Sequence, residues 1–267
     1  MRSALVLMYH QIVPDLAPAG WVPSPLADAR YGVREGEFAR QMAHLRREGY
    51  EVLSLEALVS GSSSVPEKTP ERPAVVVTFD DGYESDFTRA APILAEYRLP
   101  ATFFVTTGHI GRPGMMTEAM VAELSARPNL QVGAHGESHR FLSALPEEEC
   151  RGELLRSFAR IRQLTGQKMV AMSAPGGRTD VRVARRAQEA GFFLLATSAP
   201  GLHPLSGPLP GDPFSVPRLP VLGSHSLGIF AALLDPFSLT HRRERWMRLA
   251  RQRLRSLLRR DNMSAGG

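Results

Sequence analysis

The sequence predicts an α/β fold in which helices cover a parallel sheet, and three observations predict it. Apolar runs such as residues 4–9 and 74–79 lack the in/out alternation of a half-solvated strand. Segments with apolar residues at helical spacing separate such runs. The alternation continues from residue 4 to residue 197 of a 267-residue chain, a length that suits one large domain. Periodicity leaves a barrel and a doubly wound sheet both open.

Taken in order, residues 4–9 read as a buried strand, and Phe38, Met42 and Leu45 fall at helical spacing before Gly49-Tyr50 ends the helix. Residues 51–55 read as a strand. The Gly/Ser/Pro stretch from Gly61 to Pro66, followed by Pro70 and Pro73, reads as an exposed loop. It leads into Ala-Val-Val-Val-Thr-Phe at 74–79, the clearest buried strand of the chain. A helix over 88–97, a strand over 101–105, a helix over 118–125 and a strand over 131–134 follow. Pro146 and the acids Glu147, Glu148 and Glu149 open a helix that reaches about residue 164, since proline and negative charge suit a first turn. A strand over 168–173, a helix over 181–190 and a strand over 192–197 complete the pattern. The expected division is one domain over 1–237, a basic amphipathic helix over 238–260 and a disordered tail over 261–267.

Composition agrees with a packed core: 43% hydrophobic and 22% charged residues exclude disordered and collagen-like classes. Cys150 is the only cysteine, so an intrachain disulfide is excluded. The first apolar run, Ala4 to Met8, is too short for a signal-peptide core or a membrane span. The expectation is a cytoplasmic protein, with peripheral attachment at the inner membrane surface as the alternative. Net charge is +5 but divides unevenly: residues 241–261 hold nine arginines and two acids, or +7, while the rest of the chain carries −2.

Two motifs carry chemistry. Thr78-Phe79-Asp80-Asp81-Gly82-Tyr83 places adjacent carboxylates where a hydrophobic strand runs out into a turn, the end of a strand at which α/β folds put catalytic groups. Two neighbouring carboxylates repel, and one takes up a proton unless a cation is near. Gly133-Ala134-His135-Gly136-Glu137-Ser138-His139 places two histidines four apart at the end of another predicted strand. Two imidazoles and one carboxylate form a catalytic metal triad that leaves positions open for water and substrate. Each motif alone is weak, an Asp-Asp-Gly being an ordinary turn. Their joint appearance at two strand ends is far more specific.

These two blocks, with Leu7-Met8-Tyr9-His10 and the Phe38…Leu45…Gly49-Tyr50…Leu53-Ser54-Leu55 pattern, resemble the polysaccharide deacetylases with a NodB-homology domain, carbohydrate esterase family 4, over residues 4–221. The resemblance implies an α/β fold of the irregular (β/α) barrel type. It implies Asp80 as catalytic base, Asp81, His135 and His139 as metal ligands, and Tyr83 among the substrate contacts. The implied reaction is hydrolysis of the N-acetyl amide of an N-acetylhexosamine in a glycan or lipid-linked sugar. Two histidines and an aspartate suggest Zn2+ first, with Co2+, Ni2+ or Mn2+ as alternatives. Two other readings stay open: another C–N amide hydrolase on the same barrel, and a degenerate barrel that binds glycan without turnover.

The family's third motif, Arg-x-Pro-x-Gly, appears as Ser173-Ala174-Pro175-Gly176-Gly177, with serine in place of the arginine that holds the base ionised. By resemblance Gly176 supplies a backbone N–H to the oxyanion, and Arg178 or Arg218 is a candidate replacement for the arginine. The general acid is expected at His225, in Leu222-Gly223-Ser224-His225, or at His203. The family's Asp-x-x-x-Trp motif has no counterpart around residues 192–197. In the basic tail, Trp246, Leu249, Leu254, Leu257 and Leu258 alternate with the arginines. That pattern suits a helix packing its leucines on the domain, or one lying on an anionic membrane surface, better than it suits a nucleic-acid partner.

Overall fold

A computed structural model describes residues 2–17, 24–61, 72–205, 214–243 and 246–247. Eleven strands occur among them: β1 Ser3–Tyr9, β2 Ile12–Val13, β3 Val33–Arg34, β4 Ala74–Phe79, β5 Ala101–Val105, β6 Leu130–Ala134, β7 Met172–Ser173, β8 Leu195–Ala196, β9 His203–Pro204, β10 Ser215–Val216 and β11 Leu219–Pro220. The α-helices are α1 Glu35–Arg47, α2 Leu55–Ser60, α3 Ala91–Tyr97, α4 Glu118–Ala126, α5 Glu147–Thr165, α6 Val181–Glu189 and α7 Leu227–Leu234.

The main sheet runs in the order β10-β8-β7-β6-β5-β4-β1-β11, and every neighbouring pair on this path is parallel. Its two outer strands, β10 and β11, are separated in sequence only by Pro217 and Arg218. The sheet therefore rolls into a nearly closed, irregular (β/α) barrel, which decides between the two architectures that periodicity left open. The short β9 pairs antiparallel with the start of β1, and β2 and β3 form a separate ribbon.

Strand alternation divides the apolar residues into two layers. Leu5, Leu7 and Tyr9 of β1 and Val75, Val77 and Phe79 of β4 pack in the larger cluster, with Phe38 and Met42 of α1. Ala4, Val6, Ala74, Val76, Phe104, Ala171, Leu194, Ala196 and Val216 form a second, inner cluster, together with Leu55 and Leu58 of α2. The same parity carried upward places His10, Thr78, Asp80, His135, Ser173 and Arg218 on the inner face. The polar groups are thus the next layer of the barrel interior, above the apolar filling. Gly133 is required there, because a Cβ at this position would lie 2.6 Å from the Phe104 ring.

The predicted strand over 51–55 reduces to an isolated bridge between Val52 and Val75. The reason is local: Ser54 accepts the Ala57 N–H and starts α2 one residue later. The helix predicted over 88–97 begins earlier, with a π turn over Asp86–Ala90 that runs into α3. α7, capped by Ser226, has no counterpart in the predicted elements. Of the basic helix expected over 238–260, residues 239–243 and 246–247 are helical, and 244–245, 248–260 and the tail over 261–267 lie outside the described residues. Among the described residues no helix is long and apolar enough to cross a membrane.

Candidate active site

The site lies at the C-terminal ends of β4, β6 and β7, with Arg218 entering from the seam between β10 and β11. Asp80 follows β4 without a change of parity and points into the barrel, only 2% exposed. Asp81 adopts φ +82°, and with Gly82 at +86° the chain turns away from the strand direction. A left-handed backbone at a non-glycine residue costs about 1–3 kcal/mol and persists where surrounding structure enforces it. Here it sends two adjacent carboxylates to different partners.

Asp80 meets Arg218, which is fully buried. Nη1 donates to Oδ1 of Asp80 at 2.7 Å and Nη2 to Oδ2 at 2.7 Å, a bidentate pair. The other guanidinium hydrogens reach the Thr78 hydroxyl at 3.2 Å, the Ser173 hydroxyl at 2.7 Å and the Thr197 carbonyl at 3.0 Å. All five N–H donors of Arg218 are used. Ser173 in turn donates its hydroxyl to Oδ2 of Asp80 at 3.2 Å. Burial, the largest single effect, opposes ionisation of Asp80, but Arg218 and His135 outweigh it and hold the carboxyl below the usual range.

Of the two candidate arginines, the structure therefore puts Arg218 on the base. Arg178 stacks its guanidinium 4.0 Å from the Phe141 ring centroid instead. Serine at 173 is part of the same solution, since its small hydroxyl fits between the Arg218 fork and Asp80.

Asp81 meets the two histidines. Its Oδ1 lies 3.3 Å from Nε2 of His135 and 3.1 Å from Nε2 of His139. Ligand atoms of the three residues all lie within 4.8 Å of one another. His135 spends its other ring nitrogen on the Ser173 carbonyl, 2.9 Å away, so Nδ1 is the donor there and Nε2 is the nitrogen turned toward Asp81. Oδ1 of Asp81 is buried and accepts no hydrogen bond. Lone pairs converging on one point repel unless a cation lies between them. The donor set thus fits a divalent ion, and two nitrogens with one carboxylate suit zinc.

Tyr83 was expected among the substrate contacts. It is 1% exposed, and its hydroxyl donates to Oδ2 of Asp81 at 2.8 Å, so it orients that carboxylate rather than facing the mouth of the site. Gly176 sits in a 3-10 turn over Pro175–Gly177 at φ +61°, where a Cβ would lie 2.6 Å from Phe141. Glycine is needed there both for the backbone angle and for the space. His225 is buried, and its Nδ1 accepts the Leu222 N–H at 3.2 Å. His203 pairs with Ala4 at the opposite end of β1 from the site, which removes it from the candidates for an acid.

One residue of the site escaped the sequence reading. His10 follows β1 on the inner face, where Asp81, Asp80, His135 and Arg218 all act on its charge. Burial is the strongest influence and lowers its pKa, against the two aspartates, which raise it. It packs on Tyr31 at 4.3 Å between ring centroids, and its Nδ1 is buried without a hydrogen-bond partner. The signal was present in the Ala4, Val6, Met8, His10 alternation, which carries the inner face of β1 to its polar end.

A nearly closed (β/α) barrel with a buried Asp–Arg pair beside an Asp-His-His triad defines a class of candidate metal-dependent hydrolases. Residues 67–194 match the family described as Polysaccharide deacetylase. Over that span, just under half of its length, the chain carries a polysaccharide deacetylase domain. It is 27% identical over 169 residues to YxkH of Bacillus subtilis, covering 63% of this chain and 60% of that protein. It is 40% identical over 86 residues to the poly-β-1,6-N-acetyl-D-glucosamine N-deacetylase of Escherichia coli, covering 31% of this chain and 12% of the relative. The chain thus spans less than two thirds of either relative. In fold it is similar to Streptococcus pyogenes deacetylase PplD, with a TM-score of 0.72 at 24% identity over 88% of this chain and 99% of that one. It is also similar to IcaB from Ammonifex degensii, with a TM-score of 0.65 at 25% identity over 83% and 92%.

Proposed function

We propose that this chain is a metal-dependent N-deacetylase that hydrolyses the N-acetyl amide of an N-acetylhexosamine in a glycan or lipid-linked sugar. The observation that carries the proposal is the division of labour between adjacent carboxylates: an ionised Asp80 held by Arg218, beside an Asp81 that converges with His135 and His139. A divalent cation held by Asp81, His135 and His139, zinc by the donor set, would supply Lewis-acid charge to the amide carbonyl and to the attacking water.

Asp80 takes one proton from the water as its oxygen adds to the amide carbon. The backbone N–H of Gly176 donates to the oxygen on which negative charge develops. The tetrahedral centre collapses with cleavage of the C–N bond, and the sugar nitrogen receives a proton as it leaves. Acetate and a free amino sugar result. His10, another imidazole of the chamber, is the group we assign to that last proton transfer, passing on the proton that the water gave up to Asp80; His225 is the alternative suggested by its motif.

The match between Ser173 and Arg218 is why turnover is preferred to a binding-only barrel. The Escherichia coli relative, and one in Staphylococcus aureus that is 28% identical over 135 residues, are poly-β-1,6-N-acetyl-D-glucosamine N-deacetylases. Oligomers of that polymer are therefore the first substrates to test. Zinc-loaded protein is expected to release acetate from them, and His10→Asn to slow release more than His225→Asn. Stoichiometric zinc with no acetate from any N-acetylated oligosaccharide would defeat the assignment.

A second part of the proposal concerns location. Phe237, Leu239 and Trp246 are 83%, 82% and 69% exposed, beside Arg242 and Arg243. Apolar rings and arginines together suit the surface of an anionic leaflet, where each basic residue contributes about 1 kcal/mol. On this reading the enzyme is cytoplasmic and sits peripherally on the inner membrane surface, the membrane contact being the part that these residues motivate. Sedimentation with anionic liposomes should fall for a chain ending at Thr240, and equal sedimentation would refute membrane contact.

A further inference from the structure

The segment Gly136-Glu137-Ser138 contributes no ligand atom, yet it sets the distance between His135 and His139. His135 is anchored independently of it, by its own N–H to the Val105 carbonyl at 2.8 Å and by its ring to the Ser173 carbonyl. Apart from the approach of its ring to Asp81, His139 has no such anchor among the described residues: it sits at φ +61° and its side chain is 37% exposed. What fixes His139 must act through the segment before it.

Two elements grip that segment from opposite sides. The carbonyls of Gly136 and Glu137 accept the N–H groups of Thr107 and Gly108 at 3.1 and 2.8 Å. From the other side comes Glu153, on the face of α5 turned to the barrel and only 3% exposed. Its Oε2 accepts the N–H of Glu137 at 2.8 Å and that of Ser138 at 2.9 Å, and its Oε1 accepts the Ser138 hydroxyl. One helical turn on, Arg156 pairs with the Glu137 carboxylate at 2.6 Å.

We infer that Glu153 is a positioning residue for the cation site, one that sets its affinity by holding His139 in register with His135 and Asp81. The inference rests on the metal reading proposed above. A buried carboxylate accepting two backbone N–H groups makes stronger, more directional bonds than a neutral acceptor. Without it two backbone donors lose their charged partner, and the segment that leads into the left-handed residue His139 loses one of its two grips. Partners one step removed from a metal typically change affinity by about 10–100-fold when lost. Because His135 keeps its own anchors, the loss should fall on one imidazole rather than on the whole triad.

The test is zinc affinity of the full chain, measured by competition with a chromophoric chelator, for wild type, Glu153→Gln and Glu153→Ala. Visible spectra of the cobalt-substituted proteins are recorded alongside. Expected is an order of affinity wild type, then Gln, then Ala, with about a 10–100-fold loss for Ala and a weaker cobalt absorption as one imidazole is replaced by water. Circular dichroism reports whether each variant is folded. If Glu153→Ala does not fold, Glu153→Gln decides: a loss of about threefold or more supports the inference, and unchanged affinity overturns it. Folded Glu153→Ala with wild-type affinity and an unchanged spectrum overturns it as well. A wild type that binds no zinc would sink the metal reading and this inference together, so the two failures are distinguishable.

Discussion

Asp80 and Asp81 are neighbours in sequence and opposites in environment. Around Asp80 both oxygens receive donors from a guanidinium that is itself fully used, and the whole group belongs to the barrel interior. Around Asp81 the backbone is left-handed, one oxygen is tied to Tyr83, and the other faces two imidazole nitrogens with no hydrogen bond of its own. The lower half is complete as a protein structure and fixes a protonation state. The upper half leaves a donor set that could hold a cation. A base must enter each turnover ionised, whereas a metal site must leave lone pairs unspent, and a single strand end offers an environment for each because the backbone turns between the two residues.

The most direct way to break the comparison is Asp80→Asn. The amide retains the shape and cannot accept the proton, so the rate of acetate release should fall by about 10²–10⁴. Zinc content should be unchanged, because the ligands lie on the other side of the turn. Loss of zinc along with activity would mean that the halves are not separable. Next in size is Arg218→Met, which strands a buried carboxylate. Removing one partner of a buried ion pair costs about 3–5 kcal/mol, read here from urea unfolding. Adding Asp80→Asn to Arg218→Met should recover part of that loss, and a cost under about 1 kcal/mol for Arg218→Met alone would contradict the pairing.

The same division governs what was legible in the sequence. The Asp-His-His cluster could be read because its members lie in two short blocks, and the strands that carry them are apolar runs with unmistakable ends at Phe79 and Ala134. Arg218 could be named only as one of two candidates. Its contact with Asp80 spans 138 positions and depends on the sheet rolling until β10 approaches β11, a property of tertiary structure that local pattern does not encode. His10 was missed because a histidine after a strand has no local signature, and only the inner-face parity of β1 gives it meaning. Tyr83 was read as a substrate group because a motif shows adjacency but not direction. The strand expected at 51–55 failed for a different reason, since the side-chain cap of Ser54 wins over the β-propensity of the residues before it.

Ser173→Ala sharpens the comparison at smaller scale. It removes the hydroxyl that accepts from Arg218 and donates to Asp80, but leaves the bidentate pair and the Ser173 carbonyl that orients His135. Hydrogen bonds to charged groups contribute about 1.5–3 kcal/mol, so stability should fall by that amount and by less than for Arg218→Met. Zinc affinity should stay within about twofold, because the carbonyl bond is retained. A large zinc defect in Ser173→Ala would show that the serine serves the cation half as well.

The smallest effect contrasts the two ends of the barrel through their histidines. His203, beside Ala4 at the base, is buried with Nδ1 unpartnered, and burial alone lowers its pKa from the ordinary imidazole value of 6.5. In the unfolded chain it protonates near that ordinary value, whereas in the folded chain it stays neutral to lower pH. The unfolded state therefore binds more protons below pH 6.5, and the stability contribution is fully present above that pH and lost as pH falls toward the lowered value. Each unit of separation between the two values corresponds to about 1.4 kcal/mol. Wild type should lose stability between pH 7 and pH 5 more steeply than His203→Gln in urea unfolding at both pH values. His10 and His44, whose values are also lowered by burial, contribute equally to both proteins and cancel from the difference. Parallel pH profiles for the two proteins would place the acid sensitivity of the fold at the active-site end instead.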